Sequence, residues 1–176
     1  MEKAVFSDLR NIKIEKRDYK DRNLWTEKVI KNTDSSIVFF MDDFEQYLRH
    51  NGYRDLEVVY HCFADESGHV GTSRHYAIRD EKGNIKRLAD AVDFHIKGNI
   101  GYLEKRDIIV RFLESKGMFA KVGFGLYPNW NNPGFHIDLR GYEARWGGLY
   151  IKKNKSWSLE LVKYAKAEEY ARKNSI

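Results

Sequence analysis

The feature that most constrains this chain is a pair of polar residues set into an apolar run. Residues 134–141 read Gly-Phe-His-Ile-Asp-Leu-Arg-Gly, in which polar and apolar side chains alternate. Such alternation predicts a β-strand, because successive side chains of a strand point to opposite faces. His136 and Asp138 are therefore expected on one face of that strand. An imidazole beside a carboxylate suits a metal ligand and its hydrogen-bonding partner.

A second run of similar character lies upstream. Residues 91–96 read Ala-Val-Asp-Phe-His-Ile, so Asp93 and His95 interrupt an otherwise apolar strand. A buried carboxylate is costly unless it is paired or bound to a metal. His75 lies 18 positions before Asp93, in a Ser-Arg-His sequence. Two imidazoles and one carboxylate make a catalytic zinc shell whose fourth position is left to water.

The order of these residues resembles that of a known family. It is similar to the zinc peptidases of the D-Ala-D-Ala carboxypeptidase and L-Ala-D-Glu endopeptidase type, which share their core with the hedgehog signalling domain. The family signature is a Ser-x-His, then a small residue-x-Asp, then a distant His in a strand. Ser73-Arg74-His75, Ala91-Val92-Asp93 and His136 stand in that order. Residues 134–141 with Ala144-Arg145-Trp146 resemble the phage and bacterial cell-wall branch.

The resemblance implies a zinc metallopeptidase of the D,D- or L,D-type, with zinc held by His75, Asp93 and His136. Its implied substrate is the stem peptide of bacterial peptidoglycan. Zinc polarises the scissile carbonyl and lowers the pKa of its bound water to about 7. A further carboxylate then acts as general base, and Asp138 is the candidate for this role or for orienting a ligand histidine. His95 and Arg140 are candidates for stabilising the tetrahedral intermediate, and His95 is also a candidate for a buried histidine with no role in catalysis.

The chain departs from the family pattern in four places. Residues 76–90 lengthen the interval between the first His and the Asp, and the Asp80-Glu81-Lys82-Gly83 turn predicts that they form a hairpin. A hairpin returns the chain close to where it left, so the metal geometry can survive the insertion. The glycine that many members carry in this interval has no counterpart. The arginine that often ends an early strand is absent from residues 61–64, and Arg74, Arg140 and His61 are alternatives for its role. Pro133 stands where some members have an acidic base.

These departures keep a second hypothesis open. The chain can be a catalytically silent zinc-binding module of the same fold that binds cell wall or another partner. A third hypothesis is nucleic-acid binding, since the net charge is +5, but no recognition motif accompanies the charge. We therefore expect a monomer that binds peptidoglycan peptides, with no specific nucleic-acid partner and no insertion into a membrane.

The pattern of helices and short strands predicts an α+β fold. We expect a small central antiparallel sheet with flanking helices, as in the hedgehog-like peptidases. Residues 1–34 are predicted to form an N-terminal extension, and residues 35–176 a single zinc peptidase-like domain. Helices are predicted at residues 37–50, 103–116 and 157–173, and strands at residues 58–63, 91–96, 122–127, 135–139 and 148–151.

Cysteine content and hydropathy bear on the cellular setting. Cys62 is the single cysteine, which excludes an internal disulfide framework, and it is predicted as a buried thiol in a core strand. No apolar run approaches the roughly 20 residues that span a bilayer. Residues 1–6 lack the apolar core of a signal peptide. We therefore expect synthesis in the cytoplasm, with release to the cell wall on lysis.

Overall fold

The computed structural model describes residues 8–65, 67, 71–154 and 156–176. These residues form a mixed α+β structure with four α-helices and a six-stranded mixed sheet, which confirms the predicted fold class. The chain divides into two compact units, Met1–Phe94 and His95–Ile176. Among the helices described, none has the length and apolar character needed to cross a bilayer.

Among the described residues of the first unit, two stretches are helical. Helix α1 spans Glu27–Asn32 and helix α2 spans Ser35–His50. The Asp34 side chain accepts a hydrogen bond from the Ser36 backbone N–H and caps α2. Gly52 follows the helix at a φ of 85°, in the left-handed region that favours glycine. The predicted helix over residues 37–50 is confirmed, and its apolar positions at helical spacing form its buried face: Ile37, Val38, Met41, Phe44 and Leu48.

Two neighbouring strands of the sheet hold Cys62 and Asp93. Strand β1 spans Glu57–Cys62, and its neighbour in the sheet is β4, which spans Ala91–Lys97. Residues 91–96 are all buried, as expected for a strand whose two faces are both covered. The polar Asp93 and His95 are therefore buried together with their apolar neighbours.

The insertion between His75 and Asp93 is a hairpin, as predicted. Strand β2 spans Ile78–Arg79 and pairs antiparallel with β3, which spans Ile85–Arg87. The carboxylate of Asp80 accepts hydrogen bonds from the backbone N–H groups of Lys82 and Asn84 in the turn. The side chain therefore fixes the turn, as Asp often does in this setting.

A buried carboxylate of α2 holds part of the N-terminal segment. Asp42 accepts hydrogen bonds from the backbone N–H groups of Arg10, Asn11 and Ile12, at 3.1, 2.7 and 2.7 Å. Trp25 of this segment is buried, and Val29 is half-buried. Residues 1–7 lie outside the described part of the chain.

The second unit contains four strands in the order β6-β5-β7-β8. Its elements are α3 (Tyr102–Ser115), a 3₁₀ turn (Phe119–Lys121), β5 (Gly123–Tyr127), β6 (Gly134–Asp138), β7 (Ala144–Lys153), β8 (Ser156–Val162) and α4 (Tyr164–Lys173). Strand β5 pairs antiparallel with β6 and parallel with β7. The prediction of a wholly antiparallel sheet is therefore wrong at the β5–β7 pair. The chain reverses twice between these strands, so β7 runs in the direction of β5.

The predicted helix over residues 157–173 is wrong in its first part. Residues 156–162 form β8, which pairs antiparallel with β7, and α4 begins only at Tyr164. The apolar side chains of Trp157, Leu159 and Leu161 recur every second residue, which is the period of a strand and not of a helix. The helical prediction overlooked this alternation.

We expect Asp42→Ala to lower the free energy of unfolding by about 3 kcal/mol, because three backbone N–H groups lose a charged acceptor in a buried position. Urea denaturation measures the change. Asp43→Ala is the matched control, since Asp43 is an exposed residue of the same helix, and it should change stability by less than about 0.5 kcal/mol. Similar small losses for both variants would show that the carboxylate does not hold the N-terminal segment.

Candidate metal centre

Three metal-ligating side chains converge in the first unit. Cys62 ends β1, His75 lies in the loop before the hairpin, and Asp93 lies in β4. One ligand atom from each lies within 4.8 Å of the other two, so the group could hold a metal ion. The Nε2 atom of His75 is 3.3 Å from Oδ2 of Asp93. The Sγ atom of Cys62 is 3.7 Å from Nδ1 of His75 and 3.7 Å from Oδ2 of Asp93.

The structure thus brings together two of the three predicted ligands, His75 and Asp93. Sequence reasoning missed Cys62 as a member of the group and predicted a buried thiol, whereas the residue is half-buried. A signal was available, because the resemblance places residues 61–64 where the peptidases carry an arginine near their site. A cysteine at that position, whose sulfur can bind a metal, was therefore the signal for a further candidate ligand.

The ring of His75 is held in one orientation. Its Nδ1 atom lies 2.6 Å from the carbonyl oxygen of Phe63, which assigns the proton to Nδ1. Its backbone N–H donates to the hydroxyl of Ser73 at 3.2 Å, so the Ser73 side chain helps to shape the loop. In the neutral ring Nε2 is then an acceptor that faces the acceptor Oδ2 of Asp93, and two such atoms require a proton or a cation between them. Metal-binding histidines characteristically donate their second ring N–H to a carbonyl in this way.

Arg74 and Asp90 close the base of the inserted hairpin. The guanidinium of Arg74 makes two hydrogen bonds to the carboxylate of Asp90, one of them 2.6 Å long, and the Asp90 backbone N–H donates to the Arg74 carbonyl. The chain therefore returns to its starting point between His75 and Asp93, as expected. Arg74, an alternative for the missing family arginine, is committed to this ion pair.

Burial and nearby acids set the charge state of the group. Burial, together with the carboxylates of Asp93 and Asp65, raises the pKa of the Cys62 thiol well above its ordinary value. The ring of His61 stacks on Tyr19 at a centroid distance of 4.4 Å, and burial lowers its pKa. Both groups are therefore neutral near pH 7 while no cation is bound. A metal ion would reverse this for the thiol, since a coordinating thiol is deprotonated.

A cavity of about 320 Å³ borders the group. The N-terminal segment and the end of β1 form its walls, which include Asp18, Arg22, Leu24, His61, Cys62 and Asp65. Cys62 is the member of the metal-ligating group that lines it. Part of the wall comes from residues before position 35, outside the region that resembles the peptidases.

The predicted pair His136 and Asp138 lies in the second unit. The two residues share one face of β6, with Nε2 of His136 at 3.0 Å from Oδ2 of Asp138. Arg140 donates to both carboxylate oxygens, at 2.6 and 2.5 Å. Burial would raise the pKa of Asp138, but the hydrogen bonds from Arg140 and His136 outweigh it and hold that pKa well below its usual range. Asp138 is thus a buried anion bonded to the His136 ring, and its roles as general base or as orienter of a ligand histidine stay predictions.

Two glycines of β5 make room for this row of side chains. Gly123 stands opposite Asp138, and Gly125 stands opposite His136. A Cβ atom at Gly123 would overlap the carboxylate of Asp138 and approach Nε of Arg140 to 2.7 Å. A Cβ atom at Gly125 would lie 2.8 Å from the indole of Trp146. Both distances are too short for real Cβ contacts, so these positions require glycine.

Aromatic rings surround His136. The Trp146 ring lies beside it at a centroid distance of 5.1 Å, and the indole N–H donates to the Tyr127 hydroxyl at 2.9 Å. Tyr127 stacks in turn on Trp130 at 4.1 Å. The guanidinium of Arg140 lies 5.1 Å from the centre of the Trp146 ring. Arg140 is therefore engaged by an aromatic ring as well as by Asp138.

The remaining predicted site residues stay predictions. His95 is buried and lines a cavity of about 560 Å³ in the second unit, together with residues 96–102 and Pro133. Its predicted part in catalysis is not tested by this placement. His136 belongs to the second unit, and its role as third metal ligand still rests on the sequence.

No family model matches the sequence, and comparison with curated proteins and with solved structures finds no match. The resemblance to the zinc peptidases therefore rests on the residues themselves and on their order along the chain. To that order the structure adds the proximity of His75 and Asp93.

We expect Arg74→Ala to weaken the binding of added zinc about tenfold or more, because the base of the hairpin opens and the two candidate ligands lose their spacing. Competition with a chelating dye measures the affinity. Lys82→Ala at the exposed tip of the hairpin is the matched control and should leave the affinity unchanged. An unchanged affinity in Arg74→Ala would mean that the ion pair does not position the ligands.

We expect Gly123→Ala to lower the free energy of unfolding by about 2 kcal/mol, since the added methyl group forces Asp138 away from Arg140. Gly71→Ala serves as control because a Cβ atom there meets no atom within 4 Å. Chemical denaturation of both variants checks the difference. Equal stabilities would show that β5 tolerates a side chain at the position opposite Asp138.

Proposed function

We propose that this protein is a zinc-dependent peptidase that hydrolyses peptide bonds in bacterial peptidoglycan stem peptides. One observation carries the proposal: Nε2 of His75 lies 3.3 Å from Oδ2 of Asp93, although a hairpin separates the two residues in the sequence. Tetrahedral zinc with bonds of about 2.0–2.1 Å to nitrogen and oxygen places two such ligands roughly 3.3 Å apart. The observed spacing therefore fits zinc ligation by the two residues that the family order singles out.

The chemistry of the donors also fits zinc. His75 offers a nitrogen whose tautomer is fixed by the Phe63 carbonyl, and Asp93 offers a carboxylate oxygen. Calcium and magnesium take oxygen ligands, whereas zinc takes nitrogen, oxygen and sulfur. Once bound, zinc supplies a Lewis acid and a water of lowered pKa. The third ligand in this proposal is His136, on the evidence of its place in the sequence.

The residues around His136 have positioning roles in this proposal. Asp138 holds the His136 ring through Nε2, which leaves Nδ1 as the acceptor nitrogen of the neutral ring. Arg140 in turn holds the carboxylate of Asp138 by two hydrogen bonds. A fixed ring orientation raises the affinity of a histidine for its metal. In this proposal Arg140 acts through Asp138, whose carboxylate it holds. We favour this positioning role over a direct contact between Arg140 and the tetrahedral intermediate.

One observation favours a second candidate, the silent zinc-binding module. Asp138 is a candidate for the general base, yet its carboxylate is fully buried and both oxygens accept hydrogen bonds from Arg140 or His136. Pro133 occupies the position at which some members of the resembling family carry an acid. A module that keeps the metal and lacks a base would bind cell-wall peptides without cutting them.

The decisive experiment measures bound zinc and the release of new amines from cell-wall sacculi by the purified protein. We expect one zinc per chain and a rise in free amines, since hydrolysis of each peptide bond exposes one amine. His75→Ala, Asp93→Ala and His136→Ala should lose zinc and activity together. His50→Ala, which removes an exposed histidine at the end of α2, should keep both.

The other outcomes separate the candidates. Bound zinc without amine release, under conditions in which a known cell-wall hydrolase works, would establish the silent module. A protein that binds no zinc would refute both. Asp138→Asn distinguishes the two predicted roles of that residue, because loss of an orienting partner weakens zinc binding about 10- to 100-fold. Loss of a base alone would abolish amine release at unchanged zinc affinity.

A further inference from the structure

We infer that the thiolate of Cys62 is itself a ligand of the metal ion at this centre. The inference rests on the proposed zinc site and extends it, because the resemblance assigns only His75, Asp93 and His136. The first unit would then supply a sulfur, a nitrogen and an oxygen from three separate elements: the end of β1, the loop at His75, and β4.

The distances fit this coordination. Zinc bonds of about 2.3 Å to sulfur and 2.0–2.2 Å to oxygen or nitrogen place a tetrahedral sulfur about 3.6 Å from either neighbour. The Sγ atom of Cys62 lies 3.7 Å from Oδ2 of Asp93, and Oδ2 lies 3.3 Å from Nε2 of His75. Two edges of the candidate zinc shell, Sγ–Oδ2 and Oδ2–Nε2, therefore have lengths close to those of tetrahedral zinc.

The surroundings of Cys62 differ from those of a thiol that only packs. Its sulfur approaches two polar atoms, on His75 and Asp93, at distances at which a thiol makes only weak hydrogen bonds. The side chain is half-buried and lines the cavity of about 320 Å³. An ion can therefore reach the sulfur from the cavity, and a metal site needs such an entry path.

Thiolate ligation has a defined chemical balance. The ion replaces the proton of the thiol, so that one S–H bond breaks, one sulfur–metal bond forms and one proton is released to solvent. A set of sulfur, nitrogen and oxygen donors favours zinc, cobalt and cadmium over magnesium and calcium. The number of protein ligands also matters for function. Cys62, His75 and Asp93 alone leave the fourth position for water, as in catalytic zinc sites. With His136 as well, the shell has four protein ligands, which is typical of structural zinc sites and favours the silent module.

Cobalt substitution tests the inference without any measurement of activity. Co²⁺ is added to the full-length chain, and absorption is recorded in the visible and near-ultraviolet ranges. Tetrahedral cobalt gives visible d–d bands, and a thiolate ligand adds an intense near-ultraviolet charge-transfer band. Cys62 is the single cysteine of the chain, so that band identifies its sulfur. We expect both signals in the unaltered protein and in the His50→Ala control.

The variants and the possible outcomes are distinct. Cys62→Ser should abolish the charge-transfer band, retain the d–d bands and weaken zinc binding about tenfold or more. His75→Ala should lose both signals. Visible d–d bands with no charge-transfer band in the unaltered protein would overturn thiolate ligation while the zinc site stands. Failure to bind either cobalt or zinc would overturn the site and the proposed function together. The decisive spectrum is that of the unaltered protein, so the result does not depend on how well a variant folds.

Discussion

The ion pair between Arg74 and Asp90 is the contact on which the candidate metal centre depends. It closes the inserted hairpin at its base, so that the chain leaves after His75 and returns just before Asp93. Both partners are largely shielded from water, with side-chain exposures of 24% and 10%. A shielded pair is screened less by salt than a surface pair. Because the base of the hairpin is closed, the insertion is accommodated without separating His75 from Asp93.

The rings of His75 and His136 are each fixed by a hydrogen bond to an acceptor, each within its own unit. A ring nitrogen of His75 donates to the Phe63 carbonyl, and the His136 ring is bonded to Asp138. In each case an acceptor fixes the ring, and fixed rings are the ones that bind metals well. In the second unit Arg140 also takes part, because its positive charge neutralises the buried carboxylate of Asp138 that holds the His136 ring. Both oxygens of Asp138 are therefore engaged by hydrogen bonds within the second unit.

Much of the fold follows from local sequence patterns. The two errors, in the helix over residues 157–173 and in the direction of the β5–β7 pair, both arise from strand pairing between distant residues. The hairpin and the helix ending at His50 were predicted from turn and capping residues, which act within a few positions. The helical prediction over residues 157–173 extended the helical pattern of the last residues across a segment with strand alternation. Residues 156–162 form a strand because they pair with β7. The parallel β5–β7 pair was not predictable, since the partner of a strand is chosen by contacts far apart in sequence.

The sequence by itself determined that His136 and Asp138 share a face, because the alternation of side chains is a property of the strand backbone. It also determined the inserted hairpin, whose turn is held by Asp80 within five residues of chain. Only the tertiary structure decided that Cys62 stands beside His75 and Asp93, which lie 13 and 31 positions away. Their proximity comes from strand pairing and from the closure of the hairpin, neither of which leaves a periodic trace in the sequence.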